Sequence, residues 1–157
     1  MTTLTYPSSE FPGPSTVHLD VPEGWHGVPA PGAALAAAAE DRADRFTPNV
    51  IVRMTSRPAT TPLTEPLDEL RAYAAQKPKG TVSEPFKAEL SGVQFIGCDV
   101  SWVDERAGTV VQAHLFGLVP RGEVAELVQL TGSVGGADAT DDYPVVKDVM
   151  KSLRIER

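Results

Sequence analysis

The chain is predicted to adopt an α+β fold, a mostly antiparallel sheet of six to seven strands flanked by helices in a layered sandwich. Three observations predict it. Several segments alternate apolar and polar residues with a period of two, the mark of a half-buried strand. Val17-His18-Leu19-Asp20-Val21 is the first, and it stops at Pro22-Glu23-Gly24-Trp25. Two other segments place apolar residues at helical spacing: Leu63, Leu67, Leu70 and Ala74, then Tyr143, Val146, Met150 and Leu153. The strand-like segments are joined by short turns, which makes neighbours antiparallel, and the helices must then cover the apolar faces of the sheet.

Residues 1–14 contain Pro7, Pro12 and Pro14 among serines and Gly13, and are expected to form an extended arm. Residues 15–157 are expected to form one domain, with no internal repeat. Ala33–Glu40 is rich in alanine, so propensity alone favours a helix. The run is short, however, follows Pro29, Pro31 and Gly32, and leads directly into the next strand. Asn49–Met54 is a strand with Val50, Val52 and Met54 on one face. A helix starts within Thr60–Pro66, where a proline in the first turn loses no hydrogen bond. Lys77-Pro78-Lys79-Gly80 ends it.

Thr81–Lys87 is expected at a sheet edge, because Pro85 cannot donate to a central ladder. Val93–Val103 is a long strand carrying Ile96, Cys98, Val100 and Trp102 on one face. Asp104–Gly108 is a hairpin loop, and Thr109–Leu118 returns with Val111, Ala113 and Leu115 alternating against Gln112 and His114. Arg121-Gly122 turns the chain into Glu123–Ser133. Thr140 is expected to cap the last helix, with Asp141 and Asp142 favoured in its first turn by the helix dipole.

Bulk properties exclude several functions. The 157 residues suffice for one sizeable core, and 41% are hydrophobic, which is inconsistent with wholesale disorder. Twenty-one acids against 14 bases give a net charge of −7. That balance argues against nucleic acid and against anionic membranes, both of which are bound through Lys and Arg. No apolar run approaches the roughly 20 residues of a membrane helix. A single cysteine, Cys98, cannot form an internal disulfide. The first residues, Met1–Tyr6, show neither a signal peptide nor a lipid-carrying cysteine, so a cytoplasmic location is expected unless a leader has been removed.

The chemical motifs are sparse. His18, His26 and His114 have no partner at metal-ligand spacing, so neither a metal site nor a cofactor is expected. Cys98 lies on an apolar strand face, where a thiol behaves as a small hydrophobe rather than a nucleophile. Gly132-Ser133-Val134-Gly135-Gly136 lacks the Gly-Lys-Ser/Thr of a phosphate loop, and Gly-x-Ser-x-Gly is absent. Asp104-Glu105 and Asp141-Asp142 read as solvated or capping acids. No catalytic set emerges. Trp25 either packs over a sheet edge or lines a groove beside His26, since indoles serve both roles.

The order of elements, the Pro12-Gly13-Pro14 lead-in to the first strand, Pro22-Glu23-Gly24-Trp25 after it, and Phe46-Thr47-Pro48-Asn49-Val50 ahead of the helix together resemble the PsbP-like superfamily. Within it the chain is similar to the actinobacterial LpqN-type proteins. The resemblance implies an α/β/α sandwich over residues 14–155 and a strand, not a helix, at 33–39. It also implies a mostly non-catalytic lineage of binding, assembly and chaperone proteins. Most LpqN-type relatives are lipoproteins, and the lipid-carrying cysteine is missing here, so anchoring is not implied. The function expected is a non-enzymatic protein-binding, assembly or chaperone-like module, with Trp25, His26, Gln112 and His114 as candidate binding residues. The partner expected is another protein, and a homodimer is admissible. The alternatives are a carrier with an apolar cavity for a lipid or small molecule, and a hydrolase whose histidines and acids gather only in the fold.

Overall fold

The computed structural model describes residues 1–156. Its centre is a meander of three long strands, Val93–Asp104 (β7), Gly108–Arg121 (β8) and Val124–Gly135 (β9). The first hairpin closes as its sequence dictates. Asp104 Oδ1 accepts hydrogen bonds from the Arg106 and Ala107 amides at 2.8 and 2.9 Å, and Gly108 takes φ +77°. Strand Asn49–Pro58 (β4) pairs with β9 along its whole length.

Before the meander come Thr16–His18 (β1), Trp25–Gly27 (β2) and Leu35–Ala39 (β3). After β4 come helix Thr64–Ala75 (α1), Thr81–Val82 (β5) and Phe86–Leu90 (β6). After β9 come a single 3₁₀ turn, helix Ala139–Lys151 (α2) and Arg154–Glu156 (β10). The main sheet has eight antiparallel strands in the order β2-β3-β4-β9-β8-β7-β5, with β6 also on β7. α1 crosses one face of this sheet and α2 the other. No described helix is long and apolar enough to cross a membrane.

The α+β sandwich is as expected, and so is the strand that the resemblance implies at 33–39, while several other local expectations are corrected. Leu35–Ala39 is a strand. It has partners on both sides and buries Ala37 and Ala39 at 6% exposure, and that pairing outweighs alanine's helical propensity. The first alternating segment is in strand conformation only at Thr16–His18, and it leaves the main sheet to pair with β10. The Thr81–Lys87 segment splits into β5 and β6 on either side of Pro85. Asp138, not Thr140, occupies the N-cap of α2, and it makes no side-chain capping bond. Pro66 does sit in the first turn of α1. Two three-residue strands, β2 and β10, had no signal in the patterning.

Alternate residues of each strand feed two apolar clusters. Under α2, Val50, Val52, Phe95, Leu130 and Val134 pack against Val146, Val149 and Met150. Gly132 is required there: a Cβ at this position would overlap Val146 Cγ1 and Met150 Sδ. Under α1, Cys98, Val100, Phe116 and Leu127 pack against Leu67, Leu70 and Ala74. Full burial of each large apolar side chain contributes about 1.5–3 kcal/mol. Arg42, in the β3–β4 loop, ties that loop to α2 through Asp142 at 2.6 Å, with Asp138 at 3.7 Å.

Candidate binding cleft

α1 covers only part of its face of the sheet. Over β7 the covered residues are apolar. Over β4, β9 and the near side of β8 the same face is polar, and the register shows why. One cross-strand row reads His26, Ala38, Asn49, Ser133, Gln112 and Val100. The next reads Ala36, Ile51, Thr131, His114 and Cys98, and a third reads Arg53, Gln129, Phe116 and Ile96. Between β9 and β7 each row turns from polar to apolar as it passes under the helix.

Where α1 ends its cover there is a cleft of about 340 Å³. Arg53, Gln112, His114, Phe116, Gln129 and Thr131 form its floor, and Pro66, Glu69, Leu70 and Tyr73 of α1 form one wall. His114 is only 4% exposed. Burial, with the positive charge of Arg53 as a second cause, pushes its pKa down to about 4, so the imidazole is neutral at pH 7. Its tautomer follows from its neighbours. Gln112 Oε1, 3.0 Å from Nε2, can only accept, so Nε2 carries the proton. Nδ1 then accepts from the Thr131 hydroxyl at 3.3 Å, while Gln112 Nε2 donates to Ser133 Oγ at 3.1 Å. Thr131, His114, Gln112 and Ser133 thus form one directed, uncharged chain of hydrogen bonds.

Gln112 and His114 are therefore together. His26 shares their face but lies four strand spacings away, roughly 19 Å, and is exposed. Trp25 faces the other side of the sheet and packs against the α2 cluster, so it does not line a groove with His26. His114 was expected on a polar, outward strand face. It is buried, because β4, β9 and α1 close around it. Arg53, Tyr73, Gln129 and Thr131 complete the cleft and carry no short-range motif. Only the strand register, which pairs residues 76 positions apart at Arg53 and Gln129, brings them together.

The remaining reactive groups stand apart. His18 pairs with the Glu156 carboxylate at 3.0 Å on the small sheet. Cys98 is buried, and that burial raises its thiol pKa. Tyr143, on α2, donates to Asp99 Oδ2 at 2.6 Å on the opposite face, and burial raises its phenol pKa. Among the described residues, no three His, Cys, Asp or Glu side chains converge in a way that could hold a metal.

No protein-family model matches the sequence, and no curated protein matches it by sequence. Solved structures do match. LpqN of Mycobacterium tuberculosis, a protein involved in cell envelope biogenesis, is 18% identical over 93% of this chain and 86% of its own, with a TM-score of 0.75. Cyanobacterial PsbP (CyanoP) of Synechocystis sp. PCC 6803 is 13% identical over 90% of this chain and 92% of its own, with a TM-score of 0.59. The fold is PsbP-like. Of these two, the LpqN structure is the more similar, in keeping with the resemblance carried by the phrases around Trp25 and Asn49. At such identities the likeness is one of fold, and the PsbP-like architecture by itself assigns no chemistry to the cleft.

Proposed function

We propose that the protein is a binding module that engages a partner protein through the uncovered polar half of the α1-side sheet face. The observation that carries this reading is the contrast within one face. Where α1 covers the sheet its residues are apolar, and beyond α1 they form a polar floor beside an exposed aromatic, Tyr73. A floor that combines a satisfied, uncharged network (Thr131, His114, Gln112) with the open polar groups of Arg53 and Gln129, next to apolar surface, is a recognition surface. Its one hydroxyl–imidazole pair, Thr131 with His114, is buried, and a pKa lowered to about 4 makes that imidazole a poor base for acyl or phosphoryl transfer. Assembly and chaperone-like roles are two uses of such a surface, and the involvement of LpqN in cell envelope biogenesis supports the assembly use.

The carrier alternative calls for an enclosed apolar chamber beneath a helix. Beneath α2, Phe95, Leu130 and Met150 are fully buried members of one packed cluster.

A photo-cross-linking residue placed at Thr55, exposed on the proposed face, is expected to capture one protein stoichiometrically in lysate of the native host. The same residue at Lys151, on α2, is expected to capture none. Equal capture at the two positions, or none at either, would overturn the reading.

A further inference from the structure

We propose that the cleft is a carboxylate-binding site in which Arg53, supported by Gln129, receives the side-chain carboxylate of an acidic residue on the partner protein. The inference rests on the binding reading above and specifies the chemistry of what is bound.

Four arginines lie on strands. Arg57 is held by Glu69 at 3.2 Å and Glu65 at 3.6 Å, and Arg154 by Asp20 at 2.8 Å. Arg121 donates to the Gly13 carbonyl and the Ser15 hydroxyl at 2.6 and 2.8 Å. Arg53 alone has neither an ion pair nor a hydrogen bond among the described residues, although acids outnumber bases in this chain. A guanidinium presents a planar fork that matches a carboxylate in two-point contact. Gln129 is its direct cross-strand neighbour, and its amide, also without a bond among the described residues, adds a neutral donor on the same face.

The rest of the cleft fits the same ligand. The floor beneath Arg53 is neutral, because His114, Thr131 and Gln112 are mutually hydrogen-bonded. The wall supplies Leu70 and Tyr73, apolar surface for a methylene stem. The wall's one acid, Glu69, is engaged by Arg57.

The shape favours a side chain over a free small molecule. The cleft has a floor and one wall, and Arg53 at its edge is exposed. A free ligand held by affinity is usually mostly enclosed, whereas a side chain on a docked partner does not need to be. The net charge of −7 repels an acidic partner only at long range, and physiological salt screens such repulsion beyond about 8 Å.

The test is an NMR titration of the labelled full chain, read at the Gln129 and Thr131 amides. The probe is the blocked pentapeptide Ala-Ala-Glu-Ala-Ala, compared with its Gln counterpart. The Glu peptide is expected to shift both signals saturably, with the Gln peptide at least about tenfold weaker, as for loss of a charged hydrogen-bond partner. Arg53→Gln should abolish the difference, Arg53→Lys should keep only part of it, and Glu69→Gln should tighten binding. His114 provides an internal check: removing the Arg53 charge should raise its titration midpoint only in part, and a midpoint still below the ordinary 6.5 shows that the variant remains folded around the cleft.

Equal binding of the two peptides, no binding of either, or binding unchanged by Arg53→Gln would overturn the carboxylate site and leave the Thr55 cross-link untouched. Free propionate binding as tightly as the Glu peptide would overturn the partner side chain as the source. Loss of the cross-link with peptide binding intact would sink the protein-binding reading, and with it a partner protein as the source of the carboxylate, while the carboxylate site itself stands.

Discussion

Neighbouring residues of β4, β8 and β9 point to opposite sides of one sheet, and the two sides differ in kind. On the α2 side, Val50, Val52, Val128 and Leu130 are fully buried and interlock with Val146, Val149 and Met150. On the α1 side the same strands show Ile51, Arg53 and Gln129, which the helix leaves partly or fully open, and a buried Thr131. The strands therefore do two jobs by parity. Even positions of β4 and β9 build the α2-side core, while odd positions beyond the cover of α1 are free to be polar; odd-numbered Leu127, beneath α1, belongs to that helix's own core. Substitutions on the two faces should separate stability from recognition.

The largest effect is expected on the closed face. Phe95 is completely buried, and a Cβ at Gly117 would press on its ring, so little room exists for relaxation after truncation. Phe95→Ala should lose about 3–5 kcal/mol of stability. Urea denaturation measures this. A loss below about 1 kcal/mol would mean that the α2 face is not the packed core described.

Next comes His114, the histidine buried in the floor of the cleft on the open face. Its folded pKa, about 4, lies below the ordinary value of 6.5. The unfolded chain therefore binds a proton first as the pH falls. The stability is fully present above pH 6.5 and is lost as the pH falls towards 4, by roughly 3 kcal/mol in total. His114→Gln should flatten the stability–pH curve across that window. An unchanged slope between pH 6.5 and 4 would show that His114 is solvated and that the floor of the cleft is not closed.

These two residues also show what a sequence can and cannot carry. Phe95 stands with Gly97, Asp99 and Ser101 on a face that period two does not mark as apolar, whereas Ile96, Cys98, Val100 and Trp102 opposite it follow from the patterning. So do the meander β7–β8–β9 and the spacing of both helices. His114 has the same alternating context, yet its burial depends on β4 and α1, elements that join it only through the register. Trp25 illustrates the reverse problem. A three-residue strand is too short to display a period, so its indole could not be assigned to a face, and the strand pairing puts it opposite His26. At Ala33–Glu40 intrinsic propensity and sheet pairing disagree, and pairing on both edges prevails. The phrases shared with LpqN-type proteins settled that segment where propensity could not.

A smaller effect is expected where the closed face is anchored. The Arg42–Asp142 pair joins the β3–β4 loop to the start of α2, with side-chain exposures of 27% and 12%. Asp142→Asn should lose about 1–2 kcal/mol, the range for a partly buried hydrogen bond between charged groups. Because the pair is shielded, salt should change the loss little. Hydrogen exchange should locate it in the first turn of α2, and a loss spread over α1 as well would mean that the two faces are not independent.

The smallest effect on stability falls at the rim of the open face and bears most directly on recognition. Arg57 bridges Glu65 and Glu69, whose side chains are 47% and 55% exposed. Arg57→Gln should change stability by no more than about 1 kcal/mol, and by less in high salt, as exposed ion pairs do. Its consequence for the cleft is larger, because Glu69 is then released on the wall that faces Arg53. A freed carboxylate there competes for the one unpaired strand guanidinium, so Arg57→Gln should weaken the Glu peptide while leaving the fold intact, and adding Glu69→Gln should restore binding. A charge that matters little to folding would then govern what the open face accepts, the inverse of Phe95, which governs folding and never meets the partner. If Arg57→Gln leaves peptide affinity unchanged, Glu69 does not reach Arg53, and the selectivity of the cleft comes from its floor alone.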